Sequence, residues 1–494
     1  MEAVLAGTQG APFRYIDLFA GIGGFAAALE AFGGRCVYSV EIDQDAAAVY
    51  QRNWGHAPCG ARADGRIWGD ITEDANDQVM NVPAHDVLAA GFPCQPFSKS
   101  GYQMGMEETR GTLFWNILRI IQAHHPTIVL LENVRNLAGP RHRHEWDVII
   151  LALREQGYRV AQEPAVFSPH LLPRELGGRP QVRERVFITA TYDPQGCLSE
   201  RVDVPLRNVS LRGGLEWDLM ADLPVDSEHS PEQELSPQEH AWITAWDDFV
   251  RTLWVRLRGQ SGQDVKLPGF PLWADRWVTT EELSLWMAGH SRPAYRHAGD
   301  LPDLWNDVPG WKQNFLIKNA QFYTAHQAYL DAWMRRHGIE NFPASRRKLE
   351  WQAQQAQSLW DCVLQMRPSG IRAKRATHLP ALVAITQTSI IGPRRRRISP
   401  REAARLQGFP DNFDFGAQSA AVTYKQLGNG VNIGAVWNML RAHAVRDQEL
   451  LARTAQGQAL YQALCIDSPE SPDSVLESLV AARQALAQRL LIAV

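Results

Sequence analysis

One segment constrains the fold of this chain more than any other. A buried-strand pattern at Asp86–Ala90 leads directly into the loop Gly91–Ser98. A strand that stops at a glycine and then turns through two prolines leaves its next side chains at the carboxyl edge of a sheet, where open α/β folds bind ligands. Cys94 lies in this loop. A free cysteine is more often a small buried hydrophobe, but a thiolate aimed by rigid neighbours is a strong nucleophile.

Composition indicates a globular protein. The chain has 494 residues, 45% of them apolar, which is enough for one large or two to three ordinary domains. Its six cysteines include no C-x-x-C pair, so we expect neither disulfides nor a zinc ribbon, and we expect a reducing, cytoplasmic setting. No signal peptide and no apolar run of membrane-spanning length occurs, which predicts a soluble protein. Four histidines between residues 124 and 144 match no standard zinc spacing, and we expect no metal.

The N-terminal region has the strand–turn–helix order of a nucleotide-binding fold. A strand pattern at residues 13–19 is followed by a glycine turn at residues 20–25 and an alanine-rich helix to about Phe32. A tight strand–helix junction without a ligand would give the same pattern. Because the spacing is not G-x-G-x-x-G, a nicotinamide dehydrogenase is disfavoured.

Two acids follow at positions suited to an adenosine. A second strand, residues 36–40, ends in Glu41, where a carboxylate can accept hydrogen bonds from both ribose hydroxyls. A helix is predicted next, at residues 44–54. Asp70, which closes a predicted third strand at residues 69–72, could accept from an adenine amino group. The alternative for Glu41 is helix N-capping, for which Asp43 is an equally good candidate.

Further polar groups are predicted at the same sheet edge as Cys94. A strand at residues 127–131 ends in Glu132, and the polar, glycine-bearing segment Lys99–Gly111 suits a mobile lid. A further strand is predicted at residues 159–167. In the next predicted strand, at residues 181–188, alternation places Gln181, Arg183 and Arg185 on one face. That face is either a solvated edge or a set of donors for a ligand.

The alternation of predicted strands and helices ends near residue 193. Residues 193–366 carry twelve of the seventeen tryptophans, enough for a core of their own. The formal net charge is −4, yet residues 367–401 hold nine basic residues and no acid. Within them, Arg394–Arg397 form either a DNA-facing run or a solvated loop. A helix starts near Ser399, a turn at residues 424–431 leads into a helix at 432–445, and a last helix covers residues 475–492.

In this order, the motifs resemble those of the DNA (cytosine-5) methyltransferase family of bacterial modification type. The resemblance covers residues 15–191 and 367–440, with Gly430 as a departure where the family more often has alanine or serine. It implies an α/β, Rossmann-like methyltransferase domain that binds S-adenosylmethionine, with a mixed, mostly irregular target-recognition domain. The implied domains are the catalytic core at 13–192, the target-recognition domain at 193–366, a returning basic segment at 367–445 and a helical tail at 446–494.

The resemblance also implies roles for individual residues. The catalytic residues are Cys94, Glu132, Arg183 and Arg185. The residues that bind S-adenosylmethionine are Asp17, Phe19, Gly21, Gly23, Gly24, Glu41, Ile42, Asp70, Ile71, Pro93 and Asn429. The residues that contact DNA are Gln95, Ser98, Gln181, Arg394, Arg395, Arg396 and Arg397.

The expected reaction is methyl transfer to carbon 5 of a cytosine that is flipped out of double-stranded DNA. The Cys94 thiolate adds to carbon 6, Glu132 shares a proton with ring nitrogen 3, and Arg185 holds the exocyclic oxygen. We expect a monomer in the bacterial cytoplasm, associated with the nucleoid through DNA and paired in function with a restriction endonuclease. The alternatives are a tRNA cytosine methyltransferase, a solitary regulatory methylase and an inactive DNA-binding module.

Overall fold

The computed structural model of the chain describes residues 10–54, 68–93, 112–196, 201–226, 231–261, 267–294, 301–354, 356–382 and 388–492. Cys94, Gln95, Ser98 and the predicted lid Lys99–Gly111 lie outside the described residues. The chain divides into two compact units. The first unit comprises residues 1–225, 380–386 and 400–494, and the second comprises residues 226–379 and 387–399.

A seven-stranded sheet forms the centre of the first unit, with the order β2-β1-β3-β4-β8-β5 and β6 paired to β8. Its strands are β1 (Arg14–Leu18), β2 (Arg35–Val40), β3 (Val87–Ala90), β4 (Ile128–Val134), β5 (Tyr158–Val160), β6 (Ala165–Phe167) and β8 (Arg185–Tyr192), and the short β7 (Gln181–Val182) precedes β8. β1 to β4 are parallel to one another, whereas β8 is antiparallel to β4. The carboxyl ends of the parallel strands and the start of β8 therefore meet at one edge.

The helices of the first unit are α1 (Gly24–Ala31), α2 (Gln44–Trp54), α3 (Ile71–Asp74), α4 (Leu113–His124), α5 (Arg143–Glu155), α6 (Leu219–Asp222), α10 (Pro400–Gln407), α11 (Ala420–Asn429), α12 (Ile433–Arg446), α13 (Gln448–Leu451), α14 (Ala455–Tyr461) and α15 (Asp473–Ile492).

Helix α4 shows how an amphipathic sequence covers the sheet. Phe114, Ile117, Leu118 and Ile121 recur at helical spacing and are all buried in the core against the strands. The predicted α/β fold is confirmed.

The second unit has its own six-stranded sheet, with the order β15-β14-β11-β12-β10-β9. Its strands are β9 (Leu272–Trp273), β10 (Lys348–Gln352), β11 (Cys362–Arg367), β12 (Gly370–Arg375), β14 (Ile390–Ile391) and β15 (Arg396–Arg397), and β13 (Leu379–Pro380) lies at the boundary of the two units. Its helices are α7 (Pro237–Ser261), α8 (Thr280–Met287) and α9 (Gly310–His337). Trp246, Trp333 and Trp351 pack together with one face of the sheet, so the tryptophan-rich sequence forms a separate core.

Four predicted elements differ from the structure. The strand expected at residues 181–188 is interrupted at residues 183–184, between β7 and β8, and the strand expected at 159–167 is two strands, β5 and β6. Asp70 does not end a strand within the described residues but caps α3, because its carboxylate accepts the Thr72 N–H at 2.9 Å. The expected turn at residues 424–431 is helical as far as Asn429.

The boundaries of the units also differ from the predicted domain limits. Residues 201–225 cluster with the first unit, and residues 367–379 cluster with the second. The basic strand β12 is therefore part of the tryptophan-rich unit. None of the described helices is both long and apolar enough to cross a membrane.

Candidate active site

The turn after β1 has the backbone geometry of a ligand-binding loop. Phe19, Gly21 and Gly23 all adopt left-handed conformations, with φ of 56°, 54° and 91°. Glycine is required at position 23, because a Cβ there would lie 2.1 Å from Nε1 of Trp54. Phe19 is the less usual case, since a left-handed aromatic residue is strained, and such strain concentrates at ligand sites.

Asp17 lies buried beneath this turn. Its Oδ2 accepts the Ala26 N–H at 3.2 Å, whereas Oδ1 has no hydrogen-bond partner among the described residues. Burial raises the pKa of this carboxyl well above its ordinary value. A buried oxygen that lacks a partner within the protein is a position where a ligand donor can bind.

Glu41 joins the turn to the end of β2. Its two oxygens accept the N–H groups of Gly21 and Asp43, each at 2.8 Å. A carboxylate has about four acceptor positions, so Glu41 retains capacity for other donors. Burial raises the pKa of Glu41 despite these hydrogen bonds. The contact with Gly21 means that the acid also fixes the turn.

An exposed apolar surface adjoins Glu41. Ile42 is 67% exposed and Trp68 is 45% exposed, and the Trp68 indole N–H donates to the Ile42 carbonyl at 3.1 Å. Ile71, by contrast, is buried in the core, and Asp70 serves as the cap of α3. Of the predicted adenosine-side residues, Ile42 is thus available at the surface, whereas Ile71 can act only as support.

Glu132 lies within β4, at the edge where β3 leads into the loop that contains Cys94. It is buried, and its Oε1 lies 2.9 Å from Nε of Arg185. Burial raises the pKa of Glu132, although the charges of Arg185 and Arg183 oppose this effect. The next residue, Asn133, donates to the Phe92 carbonyl at 2.8 Å and so fixes the start of the loop. The structure therefore brings Glu132 and Arg185, two of the predicted catalytic residues, into an ion pair.

Arg183 has a different environment from Arg185. Its side chain is buried, and its guanidinium donates to the carbonyls of Leu382 (3.2 Å), Gly428 (2.9 Å) and Gly430. Burial lowers its pKa to about 9. The strand is interrupted at residues 183–184, so strand alternation does not fix the direction of Arg183. Arg183 ties the chain to Gly428 and Gly430 at the end of α11, while its charge and that of Arg185 both act on Glu132.

Two neighbouring residues complete this side of the site. Gln181 is fully buried, and neither amide atom has a hydrogen-bond partner among the described residues. Asn429 is the exposed last residue of α11, and it lies between the two glycines whose carbonyls Arg183 binds. Pro93 is exposed at the end of the described part of the loop, and Gly24 packs closely against Val431.

The basic run Arg394–Arg397 does not form one exposed patch. Arg394 and Arg395 are exposed, and the Arg395 guanidinium lies 5.0 Å from the centre of the Trp360 ring. Arg396 is buried and donates to the Asp226 carbonyl at 2.8 Å, while Arg397 pairs with Glu239. The local backbone differs in the same way: Arg394 ends a 3-10 turn and Arg395 has a left-handed conformation (φ 51°), whereas Arg396 and Arg397 form β15.

Three of the basic residues predicted at 367–401 lie on one face of a sheet in the second unit. On β10, β11 and β12 the residues that alternate with the core residues form what we call the polar sheet face. It comprises Glu350, Gln365, Arg367, Arg372 and Lys374. Oε2 of Glu350 lies 2.6 Å from Nη2 of Arg372 and 4.0 Å from Nη1 of Arg367, so the acid forms ion pairs with both arginines. Burial, together with the charges of Arg372 and Arg367, lowers the pKa of Lys374. The i, i+2 spacing of Arg372 and Lys374 places both on the same side of β12.

Comparisons with known proteins support one family. The chain matches the family described as C-5 cytosine-specific DNA methylase over residues 13–248 and 292–444. It is 48% identical to the Type II methyltransferase M.AluI of Cellulosimicrobium cellulans, over 93% of this chain and 97% of that protein. It is 28% identical to the Type II methyltransferase M.HgiBI of Herpetosiphon aurantiacus, over 89% of this chain and 99% of that protein.

Among solved structures, the crystal structure of a mutant of Spodoptera frugiperda DNMT2 aligns with 87% of this chain and 98% of its own length, with 18% identity and a TM-score of 0.43. Among the described residues no cluster of three or more metal-binding side chains occurs. The family match includes Asp17, Glu41, Cys94, Glu132, Arg185 and Asn429. The predicted resemblance is confirmed, and this chain belongs to the C-5 cytosine-specific DNA methylase family.

Proposed function

We propose that this DNA cytosine-5 methyltransferase modifies a flipped cytosine through a covalent bond between Cys94 Sγ and carbon 6 of the base. The observation that carries the proposal is the pair Glu132–Arg185 at the edge of β4 and β8, next to the strand that leads into Cys94. A buried acid with a raised pKa beside an arginine is suited to share a proton with a ring nitrogen and to bind an exocyclic oxygen.

The chemistry follows from the weak nucleophilicity of carbon 5. When the Cys94 thiolate adds to carbon 6, the electrons of the carbon 5–carbon 6 double bond become available at carbon 5, and Glu132 compensates the ring charge by sharing its proton with nitrogen 3. When bound, S-adenosylmethionine supplies an electrophilic methyl group on a sulfonium. Loss of the carbon 5 proton to a base and expulsion of the Cys94 thiolate then restore the aromatic ring.

The residues around the glycine turn fit S-adenosylmethionine. Oδ1 of Asp17, which has no hydrogen-bond partner in the described part of the chain, is an acceptor beneath the turn. Glu41 retains acceptor capacity for ribose hydroxyls, and Ile42 offers an exposed apolar surface for a base. These groups would bind and orient the donor. The proposed cofactor-binding set remains Asp17, Phe19, Gly21, Gly23, Gly24, Glu41, Ile42, Asp70, Ile71, Pro93 and Asn429, with Asp70 and Ile71 in supporting positions.

Gln181 is proposed to contact the target base or the sugar that carries it. Its buried amide offers both a donor and an acceptor that no described residue uses. We propose that Arg183 acts by fixing the segment at Gly428–Gly430 rather than by touching the base, since its guanidinium already binds three carbonyls. Gln95 and Ser98 are proposed to contact DNA from the loop that follows Cys94.

Sequence specificity is assigned to the second unit. Its polar sheet face presents arginine, lysine and glutamine side chains, which are the types that read guanine and adenine in the major groove. Arg394 and Arg395 are proposed to contact phosphates, because they are the exposed members of their run. By analogy with the Type II relatives, we propose that the enzyme acts as a monomer in the bacterial cytoplasm, bound to nucleoid DNA, and protects sites that a restriction endonuclease cuts.

A trapping experiment tests the covalent step. The enzyme, supplied with S-adenosylmethionine and duplex DNA that carries 5-fluorocytosine at its target site, should form a stable adduct at Cys94, because fluorine blocks the final loss of the carbon 5 substituent. The target is first located by bisulfite sequencing of DNA from expressing cells. Cys94→Ser should form no adduct but still bind DNA. An adduct through another residue would overturn the proposal, and methyl transfer to tRNA alone would replace DNA as the substrate.

A further inference from the structure

The C-terminal helix α15 lies beyond residue 444, where the family match ends, yet it packs on the cofactor side of the first unit. We propose that α15 positions the glycine turn, and that Gln484 and Arg483 are positioning residues for S-adenosylmethionine binding. This inference rests on the proposed function, because it assigns the donor to that turn. Three links in the structure lead from α15 to the turn.

The first link is the hydrogen bonding of Gln484. Its side-chain amide donates to Oδ1 of Asn53 at 3.0 Å and to the carbonyl of Asn412 at 2.9 Å. Asn53 is fully buried in the last turn of α2, and its own amide donates to the carbonyl of Asp414 at 2.7 Å. Oδ1 of Asn53 also accepts the Asp414 N–H at 2.7 Å. Gln484 therefore closes a network that fixes the end of α2.

The second link runs from the end of α2 to the turn. Trp54, which follows Asn53, is fully buried and donates from its indole to the Ile22 carbonyl at 3.2 Å. Ile22 lies between Gly21 and Gly23, and the Trp54 ring occupies the space that a Cβ on Gly23 would need. A shift of the last turn of α2 would therefore move the support directly beneath the turn.

The third link is an ion pair with α1. The Arg483 guanidinium donates to Oε2 of Glu30 from Nη2 at 2.8 Å and from Nε at 3.0 Å. Glu30 is buried near the end of α1, the helix that begins at Gly24, and Tyr15 of β1 donates to its other oxygen at 3.4 Å. Loss of Arg483 would leave a buried carboxylate without its cation, which is costly.

Two adjacent residues of α15 thus hold the two helices on either side of the turn. A support of this kind acts on binding, because a ligand loop that must be ordered at the moment of binding costs affinity. A purely structural helix would change the stability of the protein but leave the affinity of the folded protein unchanged. The two roles therefore make different predictions.

The experiment uses the full-length protein and three variants. Gln484→Glu keeps the size of the side chain but removes both donors, Gln484→Lys keeps a donor, and Ser478→Ala alters an exposed position on the same helix. Calorimetry measures the dissociation constant for S-adenosylmethionine, and fluorescence anisotropy measures DNA affinity. Thermal unfolding identifies the fraction that is folded.

For Gln484→Glu we expect a dissociation constant for S-adenosylmethionine raised by about five- to ten-fold, the loss of roughly one hydrogen bond of positioning. The Michaelis constant for the donor should rise in parallel, with kcat at saturation and DNA affinity within about two-fold of wild type. Gln484→Lys should restore most of the affinity, and Ser478→Ala should match wild type. Unchanged affinity in folded Gln484→Glu overturns the proposal.

A second measurement needs no variant. Because coupling between two sites is reciprocal, S-adenosylmethionine should slow amide hydrogen exchange in residues 473–486 of the wild-type protein as well as in the turn. Protection of the turn without protection of α15 would overturn the proposal. A wild-type protein that does not bind the donor at all would instead refute the proposed function.

Discussion

Two buried carboxylates of the first unit lie beside arginines, and yet their pKa values are shifted in opposite directions. Glu132, at the end of β4, has a raised pKa because burial outweighs the charges of Arg185 and Arg183. For Asp447, which follows α12, burial also favours the neutral acid, but the charges and hydrogen bonds of His443, Arg446 and Thr191 outweigh it and lower the pKa to about 2.

The difference lies in how many donors each carboxylate accepts. Asp447 accepts Thr191 Oγ1 at 2.7 Å, Arg446 through Nε at 2.9 Å and Nη2 at 2.8 Å, and Arg159. Glu132 has one ion pair among the described residues, to Arg185. A carboxylate with its acceptor positions filled is held as an anion and closed to ligands, whereas one that is buried and sparsely paired can exchange a proton with a substrate. The comparison separates a structural charge, Asp447, from the proposed catalytic acid, Glu132.

The sharpest test of the comparison is Glu132→Gln. We expect the single-turnover rate of methyl transfer to fall by about 10³-fold, within the range for loss of a positioned acid–base group, because the amide cannot share an acidic proton with the base. Rapid-quench transfer of a labelled methyl group measures the rate. Asp447→Asn is the matched control, since it makes the same chemical change, and its rate per folded molecule should stay within about three-fold of wild type. Equal losses in both variants would contradict the distinction.

The converse test measures stability. Asp447→Asn should lower the free energy of unfolding by about 3 kcal/mol, because the partly buried Arg446 and Arg159 would remain beside a neutral amide in place of a buried carboxylate. Denaturant unfolding at pH 7 provides the value. Glu132→Gln serves here as the control and should change stability by less than about 1 kcal/mol, since burial already disfavours its charge. A larger loss in Glu132→Gln than in Asp447→Asn would reverse the assignment.

The stability of the wild type should also depend on pH through Asp447. The folded pKa is about 2 and the ordinary value is 3.8, so the unfolded state binds the proton first as the pH falls. The stabilisation is therefore complete above pH 3.8 and is lost as the pH falls through 2, with a total of roughly 2 kcal/mol. Urea unfolding between about pH 6 and pH 3 should show the wild type and Asp447→Asn converging. A constant difference over this range would show that Asp447 is not held as an anion.

The smallest expected effect comes from a single donor. Thr191→Val removes the hydroxyl that donates to Asp447 and contacts Nε2 of His443 at 2.9 Å, and it should cost about 1 kcal/mol. Thr189→Val is the matched control on the same strand, because the Thr189 hydroxyl has no partner among the described residues. Thermal unfolding of both variants measures the difference. If the two variants lose equal stability, the hydroxyl of Thr191 contributes nothing specific to this network.

Local pattern was enough for the strands that build the site. β1, β2 and β3 lie within one residue of the predicted spans, and α2 matches its predicted span, because each has an apolar pattern that depends on near neighbours. The position of Glu132 at the sheet edge beside β3 was also predictable, because it directly follows an apolar strand pattern. The ion pair between Glu132 and Arg185 was not predicted, because it depends on β8 pairing antiparallel to β4.

The errors arose where a partner is distant in the chain. Strand alternation could not predict the partners of Arg183, because its guanidinium binds carbonyls that lie 199, 245 and 247 residues away. The basic run Arg394–Arg397 was treated as one surface, although Arg396 and Arg397 bind groups of residues 226 and 239. Neither contact leaves a periodic signature in the sequence.

The order and spacing of short motifs determined the family, the sheet edge that carries the chemistry and the residue types at that edge, because strand periodicity and turn residues act over a few positions. Only the tertiary structure decided which carboxylates have their acceptor positions occupied by protein donors and which retain positions for a ligand. Asp447 is saturated by β5, β8 and α12, and Gln484 reaches Asn53 across 431 residues. Burial and hydrogen-bond count set the pKa of each group, and both depend on segments that meet only after the chain has folded.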